Sequence, residues 1–96
     1  MPAYWVARSN IIEPVAYKRY TDLVPGIIKE HGGKILARGG NFRILEGTDK
    51  FERFVVIEFP SLDAGEACFK SEEYKTAAAN RRDGAGEVDI ILVESA

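Results

Sequence analysis

Four charged residues at strand-like positions, Arg8, Arg38, Glu58 and Asp89, are the side chains of this sequence best placed to do chemistry. Arg38 stands in Ala37-Arg38-Gly39-Gly40, and Glu58 stands in Val55-Val56-Ile57-Glu58-Phe59-Pro60-Ser61. A guanidinium stabilises negative charge that develops on an oxygen, and a neighbouring carboxylate orients it or carries a proton. A hairpin closed by Gly47-Thr48-Asp49 pairs Glu46 with Lys50, and counting back along both arms sets Arg38 opposite Glu58. Opposed strand residues lie roughly 4.5–5.5 Å apart at Cβ, within reach of a charge-assisted hydrogen bond. The four charges admit three readings: an ion cluster that fixes an interface, a polar floor that grips an anionic or carbonyl-bearing ligand, or side chains that reach solvent at strand ends.

The other reactive types are few. His31, the only histidine, falls at the end of a helical pattern, where capping competes with acid–base work. Cys68 reads as a small buried hydrophobe, since no base can be assigned to it. Tyr17, Tyr20 and Tyr74 lie on inward helix faces, either as core or, with Trp5, as the wall of a ligand pocket. Arg82 ends a helical segment, as a helix-end charge or a group reaching over a pocket mouth. The candidate catalytic pair is thus Arg38 and Glu58, and the candidate ligand contacts are Trp5, Tyr17, Tyr20, Arg38, Glu58, Tyr74 and Arg82. One His, one Cys and no clustered carboxylates give no metal-ligand set of usual spacing, and no cofactor motif is present. No phosphate loop follows Gly39-Gly40, and no Ser-His-Asp set can be assembled. A haem-handling role would leave His31 as sole axial ligand.

These residues need a scaffold, and the pattern supplies one. Tyr4 to Asn10 reads as a strand. Pro14 suits a first helical turn, and Val15, Tyr17, Tyr20, Val24, Ile27, Ile28 and His31 follow at helical spacing, closed by Gly32-Gly33. Pro25 inside that run predicts a kink or irregular turn near Asp22–Pro25. Lys34 to Gly40 reads as a second strand, continued by Phe42–Glu46 past a bulge at Gly39-Gly40, and Phe51 to Phe59 as a third. Ser61 and Ser71 are N-caps for helical segments Leu62–Phe69 and Glu72–Arg82, and Glu87 to Glu94 is the last strand. The order β-α-β-β-α-β is that of an α+β, ferredoxin-like single domain over residues 1–96, with helices on one face of a four-stranded antiparallel sheet.

Parity sorts the sheet. Trp5, Ala7, Ile35, Ala37, Val55, Ile57, Phe59, Val88, Ile90 and Leu92 fall on the helix side; Val6, Arg8, Leu36, Arg38, Phe54, Val56, Glu58, Asp89, Ile91 and Val93 fall on the other. That second face is left bare, which predicts a symmetric homodimer formed across it. Apolar content of 46%, charged content of 29% and a net charge of −2 describe a globular chain without the basic stripe of a nucleic-acid binder. No apolar run is long enough for a membrane span, and no secretory signal is visible. A single cysteine fits a reducing compartment, so a cytoplasmic location is expected.

With ARGG at 37–40, VVIEFPS at 55–61, SEEY at 71–74 and LVE at 92–94, the chain resembles the small bacterial proteins of the DUF1330 family over nearly its whole length. The resemblance implies a dimeric α/β-barrel in which two ferredoxin-like sheets pack face to face. Its superfamily also holds cofactor-less monooxygenases, muconolactone-isomerase-like enzymes and haem-degrading enzymes; the family itself carries no established reaction. Its motif positions correspond here to Tyr17, Tyr20, Arg38, Gly39, Gly40, Glu58, Ser61, Ser71, Tyr74 and Arg82. Glu13, Glu72 and Cys68 depart from its pattern, the last at a position often aromatic. The resemblance implies a ligand-binding or structural dimer, or a cofactor-less enzyme acting on an aromatic or polyketide-like metabolite.

Overall fold

A computed structural model describes all 96 residues. The chain runs β1 (Ala3–Ile11), α1 (Pro14–Glu30), β2 (Lys34–Arg38), β3 (Arg53–Phe59), α2 (Leu62–Lys70), α3 (Glu72–Arg82) and β4 (Gly86–Glu94). The four strands form one antiparallel sheet in the order β2-β3-β1-β4. This is the expected α+β, ferredoxin-like arrangement, with the second crossover split into two helices.

Local chemistry accounts for the boundaries. Pro14 opens α1, where its missing N–H leaves no intrahelical bond unmade. At the other end Gly32 turns left-handed (φ 80°), the Gly33 N–H returns to the Ile28 carbonyl at 2.8 Å, and His31 Nδ1 bonds the Ile27 carbonyl at 2.9 Å. His31 is therefore a cap. Ser71 joins α2 to α3: its hydroxyl donates to the Cys68 carbonyl at 2.7 Å and accepts from the Tyr74 N–H at 3.2 Å. Ser61 caps α2 through Ala64 N–H at 3.1 Å. The irregular turn expected near Pro25 does not occur, and α1 continues through it. Val24 and Ile28 on either side are buried, so packing outweighs the single backbone bond that proline removes.

The core lies between the helices and the sheet. Trp5 is its hub, with ring centroids of Phe59, Phe69 and Tyr74 at 5.9, 5.8 and 5.4 Å. Aromatic pairs at such separations contribute roughly 0.5–1.5 kcal/mol each beyond area burial.

The β2–β3 pairing departs from the hairpin count. Neither strand continues through residues 39–52, so no tight turn sets the register. The bulge lies at Leu36, between the Ile35–Ile57 and Ala37–Val56 pairs, rather than at Gly39-Gly40. One extra residue reverses parity beyond it. Arg38 therefore pairs with Val55 on the helix side, whereas Glu58 sits between Tyr4 and Lys34 on the bare side. The opposed Arg38–Glu58 pair does not form, and Ala37 exchanges faces with Arg38.

Two glycines test this account of α1 and its exit. A Cβ on Gly33 would meet Ile28 Cγ2 at 2.5 Å and Phe59 Cε1 at 2.9 Å, whereas one on Gly26, inside α1, would meet nothing within 4 Å. Gly33→Ala is expected to lower stability by about 1–3 kcal/mol through overpacking. Gly26→Ala should raise it by about 0.5–1 kcal/mol through helix propensity alone. Urea midpoints at unchanged slope measure both, and equal effects would contradict the packing described.

Candidate functional site

The helix side of the sheet is incompletely covered. Trp5, Ile57 and Phe59 are buried there, yet Ala7, Val55, Val88 and Ile90, at the centre of the same face, remain partly exposed. Two spaces lie above them. One, between α1 and the strands, has a volume of about 40 Å³, room for roughly three waters. Trp5, Tyr20, Val24, Ile28, Ile35 and Ile57 give it apolar walls, and Ser9, Tyr17, Thr21, Arg38 and Arg53 give it polar groups. The other is an open cleft of about 1040 Å³, bounded on the helix side by Phe69, Arg81 and Ile90, and it continues onto the bare face at Val6, Val56 and Ile91. Ala7, Val55 and Val88 belong to both.

The polar groups come from different elements for identifiable reasons. Ser9 follows Ala7 by two along β1, which places its buried side chain on the helix side, lining the same space as Tyr17 of α1. Arg53 stands opposite Ser9 in the β1–β3 register, and Arg38 reaches the same side through the Leu36 bulge. Neither arginine forms an ion pair. Deeper in, Tyr20 of α1 and Tyr74 of α3 join hydroxyl to hydroxyl at 2.7 Å, and Arg81 Nη2 donates to the Tyr74 oxygen at 3.0 Å. Arg81 is 6% exposed, with its guanidinium 4.9 Å from the Tyr20 ring centroid.

Of the residues singled out in the sequence, Trp5, Tyr17, Tyr20, Tyr74 and Arg38 gather on the helix side. Glu58 faces the other way, and Arg82 is exposed but lines the larger cleft beside Arg81, with its guanidinium 5.6 Å from the Phe69 ring centroid. Of the expected ionic cluster only Arg8–Asp89 forms, at 3.1 Å, between opposed and solvent-exposed residues on the bare face. Ser9, Arg53 and Arg81 were missed. Arg81 had a signal, because Tyr74, Ala77, Ala78 and Arg81 fall at i, i+3, i+4 and i+7 on one helix face.

Electrostatics make this a site of donors. Burial pushes the Tyr20 phenol far above its ordinary range, the neighbouring Tyr74 hydroxyl adds to the shift, and Arg81 opposes it in part. Burial also raises Tyr17, and the nearby Ser9 hydroxyl opposes the shift in part. Both phenols are neutral O–H groups at physiological pH. Burial works against the Arg81 cation, but the oxygens of Tyr74 and Tyr20 outweigh it, and its pKa moves up. Cys68 is fully buried and its thiol is pushed up to about 11, mainly by desolvation, which leaves no reactive thiolate. No group of three or more His, Cys, Asp or Glu side chains is placed to hold a metal ion, and no helix is long and apolar enough to cross a membrane.

A family model described as a domain of unknown function (DUF1330) matches residues 2–96. No curated protein matches the chain. Among solved structures it is similar to a protein of unknown function from Rhodopseudomonas palustris, at 18% identity over 99% of this chain and 82% of that one, TM-score 0.76. A dimeric ferredoxin-like protein of unknown function from Jannaschia sp. CCS1 is 15% identical over 99% of this chain and all (100%) of that one, TM-score 0.72. SnoaB, a cofactor-independent oxygenase from Streptomyces nogalater, is 14% identical over 99% and 93%, TM-score 0.67. At these identities the likeness establishes the ferredoxin-like fold alone.

The raised phenols fix the sign of an alkaline effect. Below the ordinary phenol pKa of about 10 both states keep their protons and stability is flat. Above it the unfolded chain ionises while Tyr17 and Tyr20 resist, so stability falls as pH rises. Tyrosinate absorbance should therefore show a late fraction that appears only with unfolding, and Tyr20→Phe should shrink it. Four phenols titrating together in the folded protein would contradict the buried network.

Proposed function

This chain belongs to the DUF1330 family, and we propose that it is a homodimeric small-molecule-binding protein whose ligand occupies the hollow between helices and sheet. One observation carries this reading. At the centre of the helix-facing sheet surface, where a packing module would be filled, four apolar side chains stay partly open beneath phenols and carboxylate-free arginines. An apolar space with a few convergent polar groups is the general form of a small-molecule site.

The dimer is assigned to the bare face. Val6, Ile91 and Val93 are exposed there beside Phe54 and Val56, and Phe42 from the 39–52 segment adds its ring to Phe54 at 4.8 Å. A contiguous apolar surface of this kind calls for a partner, and the similar Jannaschia protein is described as dimeric. Docking two copies over this face would close the open side of the larger cleft and bury the Arg8–Asp89 pairs. Nucleic acid does not fit a chain of net charge −2. The one buried, unpaired cysteine is in keeping with a cytoplasmic setting.

A second reading, a cofactor-less enzyme acting on an aromatic or polyketide-like compound, is favoured by the likeness to SnoaB. In that version Arg38 and the phenolic donors would stabilise an oxyanion. Glu58, on the opposite face, would take no part in it.

Two measurements test the proposal. Light scattering should give twice the chain mass, and Ile91→Asp should return the monomer while the fold persists. For the hollow, 1-naphthoate or 1-naphthamide should quench the single tryptophan, Trp5, and Ala7→Phe should abolish that quenching; failure of both probes to bind the native protein would overturn the site. Arg38 is exposed and free of ion pairs, so Arg38→Ala should change stability by no more than about 0.5 kcal/mol. A loss of several kcal/mol would restore a structural role for it.

A further inference from the structure

We propose that Arg81, acting with Tyr74 and Tyr20, is the anchor for an anionic oxygen on the ligand, so that the hollow selects organic anions such as carboxylates or enolates over neutral and cationic compounds. This rests on the hollow being a ligand site and specifies its chemistry.

A buried arginine ordinarily faces a carboxylate. Arg81 is 6% exposed and no acid forms an ion pair with it. Its Nε–H is the one buried side-chain polar group left without a hydrogen-bond partner. Taking a guanidinium from water costs several kcal/mol after relaxation. The charge-assisted bond to Tyr74 and the ring faces of Tyr20 and Tyr74, at 4.9 and 5.9 Å, offset part of that. The remaining donor calls for an acceptor that the chain does not provide.

The hydrogen-bond network sharpens the point. A guanidinium can only donate, so the Tyr74 oxygen accepts from Arg81. That oxygen keeps a second lone pair, so the 2.7 Å bond to Tyr20 can run in either direction, and Arg81 with the two hydroxyls forms one continuous donor-rich chain. Tyr20 lines the smaller space and Arg81 lines the larger one, and the two spaces share Ala7, Val55 and Val88. Arg81 thus borders one apolar floor with an unfilled donor, and the carboxylate among the larger cleft's lining residues, Asp89, is on the bare face and paired with Arg8. The excess of positive charge on the helix side favours an anionic oxygen over an ammonium group.

Titration calorimetry with 1-naphthoate and 1-naphthamide, which share a ring system and differ in charge, tests this on the full chain. The native protein should bind the carboxylate about tenfold or more tightly than the amide, the range expected of a hydrogen bond to a charged group. Arg81→Met should remove most of that ratio while amide affinity stays within about threefold. Should that variant fail to fold, Tyr20→Phe, which removes the Tyr20 hydroxyl from the network, must lower the ratio in the same direction. Equal affinities in the native protein, or a preference that survives Arg81→Met and vanishes in Arg38→Met, would overturn the assignment. Failure of both probes to bind would instead overturn the hollow as a ligand site.

Discussion

The Tyr74 hydroxyl is where the structure is tied together. It links α3 to α1 through Tyr20, holds the one buried cation through Arg81, and its ring edge rests against Trp5 at the centre of the sheet. Keeping a guanidinium dry is tolerable only while those contacts stay short. The penalty is several kcal/mol; a charged hydrogen bond returns roughly 1.5–3 kcal/mol, and a desolvated cation–π contact about 2. These contacts recover part of the penalty, and only while α1 and α3 hold their relative position. α1 and α3 are thereby pinned to each other, and Trp5 fixes their height over β1. Ala7, Val55 and Val88 pack against the edge of this core and stay only partly covered.

The two faces of the sheet present different side chains, and one residue decides how. Leu36 adds a step to β2, and beyond it every side chain changes sides. Without that step Arg38 would lie opposite Phe54 on the bare face and the helix-side space would have one arginine, Arg53, instead of two. The bulge thus moves a cation from a surface suited to a partner to one suited to a ligand. Sheet-edge bulges commonly re-aim a side chain in this way.

Much of this was legible in the sequence, and the reason lies in periodicity. Tyr17, Tyr20, Val24 and Ile28 recur at helical spacing, Ser61 and Ser71 announce their helices, and Trp5, Ile57 and Phe59 alternate as half-buried strands do; each signal is local and none depends on another. The Arg38–Glu58 pairing was a different kind of inference. It summed the lengths of two arms across a turn, but residues 39–52 form no hairpin, so Glu58 pairs with Lys34 instead, and the extra residue at Leu36 turns Arg38 to the other face. Nothing distinguishes Leu36 from an ordinary strand residue, whereas Gly39-Gly40 advertises a bend that the chain uses to leave the sheet. Arg81 was overlooked because an arginine beside Arg82 and Asp83 looks like a helix-end charge. Its register with Tyr74 and Ala77 says otherwise.

The composition of the hollow limits the chemistry it can support. Acid–base catalysis needs a group that exchanges a proton near neutral pH. Tyr17 and Tyr20 hold theirs far above it, Cys68 is buried as the thiol, and His31 spends its Nδ1 on the Ile27 carbonyl at the far end of α1. Glu58 could accept a proton, but the strand turns it to the opposite face. What remains are donors and cations held rigidly around an apolar floor. On the proposed reading such a set would bind an oxyanion and steady charge on it; moving a proton would fall to the ligand itself or to water. A protein of net charge −2 that concentrates unpaired arginines in one recess directs its positive potential there.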